Sequence, residues 1–196
     1  MKNNLLTAIL MTIATTVLLG IIYPLVVTGL AQLIFPKQAN GQLIQKDGKT
    51  VGSRTLGQSF SSGPYFHSRP SFAGNGYDAT NSNGSQLGPT NKKLIERVKE
   101  EVSNLQAQNP ETAVPIDLVT GSASGLDPHI SPAAAQFQLP SIAKERGTTV
   151  DQLRALLAKH TEDRQFGFLG EPRVNVLELN LELDERFPKA KQASVR

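Results

Sequence analysis

Three short runs in this sequence approach known catalytic patterns. Gly121-Ser122-Ala123-Ser124-Gly125 has the outline of the G-x-S-x-G turn that presents a nucleophilic serine. Its middle position is Ala123, so the attacking hydroxyl is missing. Gly48-Lys49-Thr50 ends like a phosphate-binding loop, but Leu43 stands where a leading glycine would let the backbone wrap a triphosphate. Ser141-Ile142-Ala143-Lys144 fits the serine-lysine pattern of penicillin-recognising enzymes, yet no Ser-Asp-Asn or Lys-Thr-Gly follows it. The three histidines, His67, His129 and His160, do not share the spacing of metal ligands within one element. His129 beside Asp127 could meet an ion or a partner, and a solvated surface histidine is the simpler reading. With no cysteine in the chain, disulfide and thiol chemistry are excluded. No set of nucleophile, base and orienting group emerges.

The elements around these runs are organised by Leu5 to Phe35, which carries no charged side chain. As a helix it would reach about 45 Å, against a hydrocarbon core of about 30 Å, so it can span a bilayer. A span in lipid must satisfy its own backbone, and a helix does so. A cleaved signal peptide competes with this reading, but its apolar region would run only about 7 to 15 residues. Residues 1–36 are therefore expected to be a retained transmembrane anchor. Ala8, Thr12, Thr16, Gly20 and Pro24 recur at every fourth position, a spacing that lets a second membrane helix approach closely. Pro24 is expected to kink the helix.

Residues 37–196 are expected to form one soluble α+β (mixed α/β) domain. The chain has 20 basic and 17 acidic residues, too even a balance for a nucleic-acid surface. Leu43-Ile44, Asp47-Gly48 and Val51 read as a hairpin with a type I′ turn. Residues 57–91 are rich in Gly, Ser and Asn, with Phe60, Tyr65, Phe66, Phe72 and Tyr77 interleaved to pin a long loop. Leu94, Ile95, Val98, Val102 and Leu105 keep helical spacing between Asn91 as cap and Asn109-Pro110 as stop. Ile116 to Val119 is a candidate strand. Ser131-Pro132 should start a helix that Pro140 interrupts or restarts. Thr149 and Gln152 form a capping box for a helix burying Val150, Leu153, Leu156 and Leu157. A short strand near Val174 should pass into a helix capped by Asn175. Charges flanking the anchor, counted naively, put the domain in the cytoplasm, but long domains translocate largely regardless of them.

Several stretches together carry a family resemblance. They are Tyr23-Pro24-Leu25, Gln38-Ala39-Asn40-Gly41, Gly57-Gln58 with Phe60, and Tyr65-Phe66-His67-Ser68-Arg69-Pro70-Ser71. Val119-Thr120-Gly121-Ser122-Ala123-Ser124-Gly125-Leu126-Asp127 and Val174-Asn175-Val176-Leu177 complete the set. The chain resembles the C component of the bacterial high-affinity potassium-transporting P-type ATPase, the Kdp-type complex, nearly end to end. It departs from that pattern at Phe72, where a small residue is expected, and at Gln86, where Asn is.

The resemblance implies a single-span, non-catalytic accessory subunit of the cell membrane with an extracytoplasmic domain. Its partners would be a potassium-translocating channel-like subunit, a P-type ATPase subunit and a small one-helix subunit. ATP and K+ would be met through the complex, with no cofactor bound by this chain alone. It would support assembly and activity, either by raising the ATP affinity of the hydrolytic subunit or by covering the outer potassium entrance. On this footing the loops Tyr65–Tyr77 and Thr120–Ser131 are expected to dock on the transport subunits. Tyr65, Phe66, Arg69, Asp127 and His129 would be the anchors, because aromatics and Arg concentrate binding energy. Two rivals stay open: a membrane-anchored serine hydrolase using Ser141 and Lys144, and a scaffold domain unconnected with transport.

Overall fold

A computed structural model describes residues 2–60 and 62–188. The apolar stretch forms one helix, continuous from Asn3 to Ile34 and long and apolar enough to cross a membrane. It comprises α1 (Lys2–Thr15), a wider π-helical segment (Thr16–Ile22) and α2 (Tyr23–Ile34). Pro24 has no N–H to donate, and the helix stays continuous through it, with the wide turns immediately before it. Tyr23 N–H bonds Leu18 O, one residue further back than in an α-helix. Within α1 the Thr12 hydroxyl donates to Ala8 O at 2.8 Å.

A short helix α3 (Pro36–Ala39) leads into strands β1 (Leu43–Lys46) and β2 (Lys49–Ser53), which pair antiparallel as expected. Asp47 and Gly48 both take positive φ, +52° and +75°, as a type I′ turn requires. The chain divides into two compact units, and this hairpin groups with the anchor in Met1–Ser53; the second unit begins at Arg54.

In the second unit, residues 57–91 form no helix or strand among those described. The helix α4 (Lys92–Gln108) follows, with the Asn91 side chain accepting from Lys93 N–H. Ile116–Leu118 is a 3-10 turn rather than the expected strand. Its backbone closes locally, Leu118 N–H to Pro115 O and both Val119 and Thr120 N–H to Ile116 O, which curls the segment out of the extended form a strand needs. Strand β3 (His129–Ile130) leads to α5 (Pro132–Arg146), capped by Ser131. Pro140 lies inside α5 without ending it, contrary to expectation. Leu139, Ile142 and Ala143, buried on both sides of it, hold the helix to the core.

The Thr149–Gln152 capping box opens α6 (Val150–His160), which runs into β4 (Thr161–Glu162). Strand β5 (Arg173–Asn175) then passes directly into α7 (Val176–Arg186), with Asn175 capping it. The sheet order is β3-β5-β4, all antiparallel, with Val174 opposite both Ile130 and Thr161. Leu153, Leu156 and Leu157 of α6 and Leu179 and Leu183 of α7 bury against it with Phe137 and Ile142 of α5. In chain order, a single apolar helix is followed by a mixed helix and sheet domain.

Candidate docking site

The long loop is held through its backbone. Two buried amides on neighbouring helices grip it in both directions. Asn180 of α7 accepts from Phe66 N–H and donates to Phe66 O, each at 2.9 Å. Gln138 of α5 accepts from His67 N–H at 2.8 Å and donates to His67 O at 3.1 Å. The amides take the place that a neighbouring strand would fill. Between them the Phe66 ring is driven into the core and is 0% exposed. Phe66 was expected on the docking surface; its place in the core excludes that role.

From Ser68 onward the loop clasps Thr120–Ser131. The Ser68 hydroxyl donates to Asp127 O at 3.0 Å, and Ser71 to Gly125 O at 2.5 Å. Arg69 spans the other loop. Its Nε donates to Thr120 O at 3.2 Å, its Nη2 to Gly121 O at 3.3 Å, and its Nη1 to Asp127 Oδ2 at 3.3 Å. The Tyr77 hydroxyl donates to Arg69 O. Two glycines allow the loops to meet. A Cβ on Gly121 would lie 2.4 Å from the Phe72 ring, and one on Gly125 2.5 Å from Asn83 O. Phe72 packs there with the Arg97 guanidinium 5.0 Å above its ring centroid.

Of the five expected anchors, Arg69, Asp127 and His129 converge. They line a cleft of about 620 Å³ with Asp117, Glu171 and Arg173. The Asp127 carboxylate also accepts from His129 N–H at 3.0 Å, and Asp117 accepts from Ser131 N–H at 2.7 Å. Burial pushes the His129 imidazole below its ordinary value, reinforced by Arg173 and opposed by Asp127 and Glu162. Glu162 bonds Arg54 and, at 3.1 Å, Arg173. Burial raises the Glu162 carboxyl, but the two arginines outweigh it and leave it below the usual range. The cleft wall sets the cations Arg69 and Arg173 among the carboxylates Asp117, Asp127 and Glu171. Among the described residues, no group of three or more His, Asp and Glu is placed to hold a metal ion.

Tyr65 lies elsewhere. Its hydroxyl donates to Asp184 at 2.9 Å, and its ring lies under the Arg146 guanidinium at 4.8 Å. The Arg146 side chain is 0% exposed and pairs with Asp184 at 2.8 Å. It also donates to Pro64 O and Phe187 O, at 2.8 and 2.7 Å. Ser141 and Lys144 are exposed on α5. Ser141 borders a smaller cleft with Tyr65, His67 and Phe137, and Lys144 does not line it. Sequence reasoning passed over Gln138, Asn180 and Arg146. The signal was present for Asn180: it falls on the apolar stripe of α7, four residues from Val176 and three from Leu183, where an amide needs a buried partner.

Residues 5–185 match the family described as K+-transporting ATPase, c chain. The chain belongs to that family. A potassium-transporting ATPase KdpC subunit from Koribacter versatilis is 61% identical over 96% of this chain and 97% of its own length. Another from Acidobacterium capsulatum is 57% identical over 93% of this chain and 98% of its own. One from Mycobacterium tuberculosis is 51% identical, covering 94% and 99%. The resemblance read from the sequence is borne out over nearly the whole chain.

Proposed function

We propose that this chain is a single-pass accessory subunit of an ATP-driven potassium uptake complex. The observation that carries the reading is the family match over residues 5–185, which takes in both the apolar helix and the domain that follows it in the chain. Hydrolysis and ion selection belong to a P-type ATPase subunit and a channel-like subunit, and a small one-helix subunit is the fourth member. The domain lies outside the cytoplasm. The helix face of Ala8, Thr12, Thr16, Gly20 and Pro24 meets a partner helix in the bilayer. The cleft of Arg69, Asp127, His129 and Arg173 faces the transport subunits. Its cations and anions are already positioned within the domain, so docking there orders few new side chains.

Purification of the complex with and without this chain tests the reading. With it, the P-type subunit should co-purify and hydrolyse ATP in response to potassium; without it, that activity should fall. A changed KM for ATP would mark action on the hydrolytic subunit, and a changed apparent potassium affinity would mark a cover over the ion entrance. Arg69→Ala, which frees the clasped loop and removes a cleft cation, should lower co-purification about tenfold, in line with an Arg anchor of about 1–2 kcal/mol. Full assembly and transport with Arg69→Ala would exclude the cleft as the docking face.

A further inference from the structure

Between β4 and β5 the chain leaves the sheet after Glu162 and returns at Arg173, and the excursion is a built hairpin. Gln165 and Leu169 exchange two backbone hydrogen bonds, each 2.9 Å, and Gly167 N–H reaches Arg164 O at 3.1 Å. Arg164 and Glu171 close its base as an ion pair of 2.6 Å. At the tip, Phe166 takes φ +53°, a left-handed conformation that bulky side chains rarely adopt. Yet Phe166 is 87% exposed and Phe168 71%, with Leu169 about half exposed beside them. The hairpin holds a strained backbone in a fixed shape while adding nothing to the core. That combination suits an apolar group displayed for something outside the domain.

Three kinds of occupant differ in the chemistry they demand. A lipid surface would call for uncompensated basic residues around the apolar tip. Here Arg164 is tied to Glu171 and Arg173 to Glu162, and Asp163 leaves the hairpin and its base with a net negative charge. A second copy is opposed by area. Two phenyl side chains bring at most about 500 Å², short of the roughly 800 Å² per partner of a stable interface. A protein socket fits both facts, because a small apolar plug can anchor one part of a larger contact. Glu171, at the base of the hairpin, also lines the cleft with Arg69, Asp127 and His129, so the hairpin rises from the edge of the face proposed above.

We infer that Phe166, Phe168 and Leu169 form a plug that seats in an apolar, basic-rimmed socket on a partner protein of the complex. The identity of that partner as an ATPase subunit rests on the preceding reading; the plug itself rests on the hairpin. The absence of cysteine makes Phe168→Cys the only thiol in this chain. Maleimide labelling of that thiol, read by the mass of this chain, should be complete in the isolated full-length subunit. In the assembled complex, in the same detergent, it should be at least tenfold slower. Equal rates would overturn the plug. So would protection by anionic vesicles alone, which would mean lipid insertion, or protection that rises with concentration of the isolated subunit, which would mean self-association. The double variant Phe166→Ser, Phe168→Ser should keep the wild-type melting temperature and lose co-purified partner about tenfold. If the wild-type chain brings down the ATPase subunits and the double variant does so equally, only the plug fails. If the wild-type chain brings down none, the accessory reading fails and the choice of partner with it.

Discussion

The helices around Val174 and the loops around Arg69 are held by different forces. In α5, α6 and α7, apolar side chains recur at helical spacing and bury against one another and the three-stranded sheet. In residues 57–91, cohesion comes from side chains reaching a distant backbone: Asn180 to Phe66, Gln138 to His67, Arg69 to Thr120 and Gly121. The first kind of contact is non-directional and tolerates repacking. The second is directional, and losing one partner leaves a polar group stranded. The loops are therefore shaped by helices that must already be in place, and they return contacts to those helices through Phe66 in the core and Tyr65 at Asp184 and Arg146.

Phe66→Ala breaks this distinction most severely. The ring is fully buried among the helices, and its backbone is the one Asn180 grips. Its truncation should cost about 3–5 kcal/mol, the range for a buried Phe, and lower the urea midpoint of the whole domain. A loss under about 1 kcal/mol would show that the ring is not part of the common core.

Asn180→Ala sharpens the comparison. It leaves both the N–H and the C=O of Phe66 without their partner, at about 1–3 kcal/mol for each group that water does not reach. The effect should fall first on the loop. Amide exchange should accelerate at residues 66–77 before it does in α6. Uniform acceleration across the domain would mean that loop and helices melt as one unit.

The same contrast explains what is legible in the sequence. The hairpin, α4, α6 and the strand-to-helix passage at Asn175 follow local rules of turn residue, cap and apolar period, and the structure keeps each with its cap or turn. Ile116–Leu118 departs from expectation because β-branched and aliphatic character says nothing of a free edge, and no strand among the described residues pairs with it. Pro140 departs from it because the burial that carries α5 past the proline is tertiary. The site is only partly visible. Arg69, Asp127 and His129 stand out as chemically able groups in two loops, and they do meet. Phe66 goes astray because an aromatic in a Gly- and Ser-rich loop looks the same whether it points in or out. Asn180 lies 114 residues from Phe66, and no spacing rule connects them.

A third kind of cohesion, between α6 and α7, should give the smallest effect. Glu182 meets Lys159 at 2.8 Å, His160 at 2.5 Å and Arg186 at 2.6 Å. The Lys159 hydrogen bond, aided by His160 and Arg186 against a burial penalty, pulls the Glu182 carboxyl from 4.5 down to about 2. A carboxyl lowered by folding favours the native state wherever it is ionised in both states. Its contribution is therefore complete above about pH 4.5, the unfolded value, and disappears as pH falls through about 2. Lys159 and Arg186 are more than half exposed, so solvent screens the pairs and the contribution is small. Glu182→Gln should lower the urea midpoint slightly at pH 7, and the gap to wild type should close as pH is lowered from 4.5 to 2. Other titrating groups, such as Glu162 with its arginines, are common to both proteins and cancel in the difference. A gap that widens on acidification would show that Glu182 gains nothing from its cations in the fold.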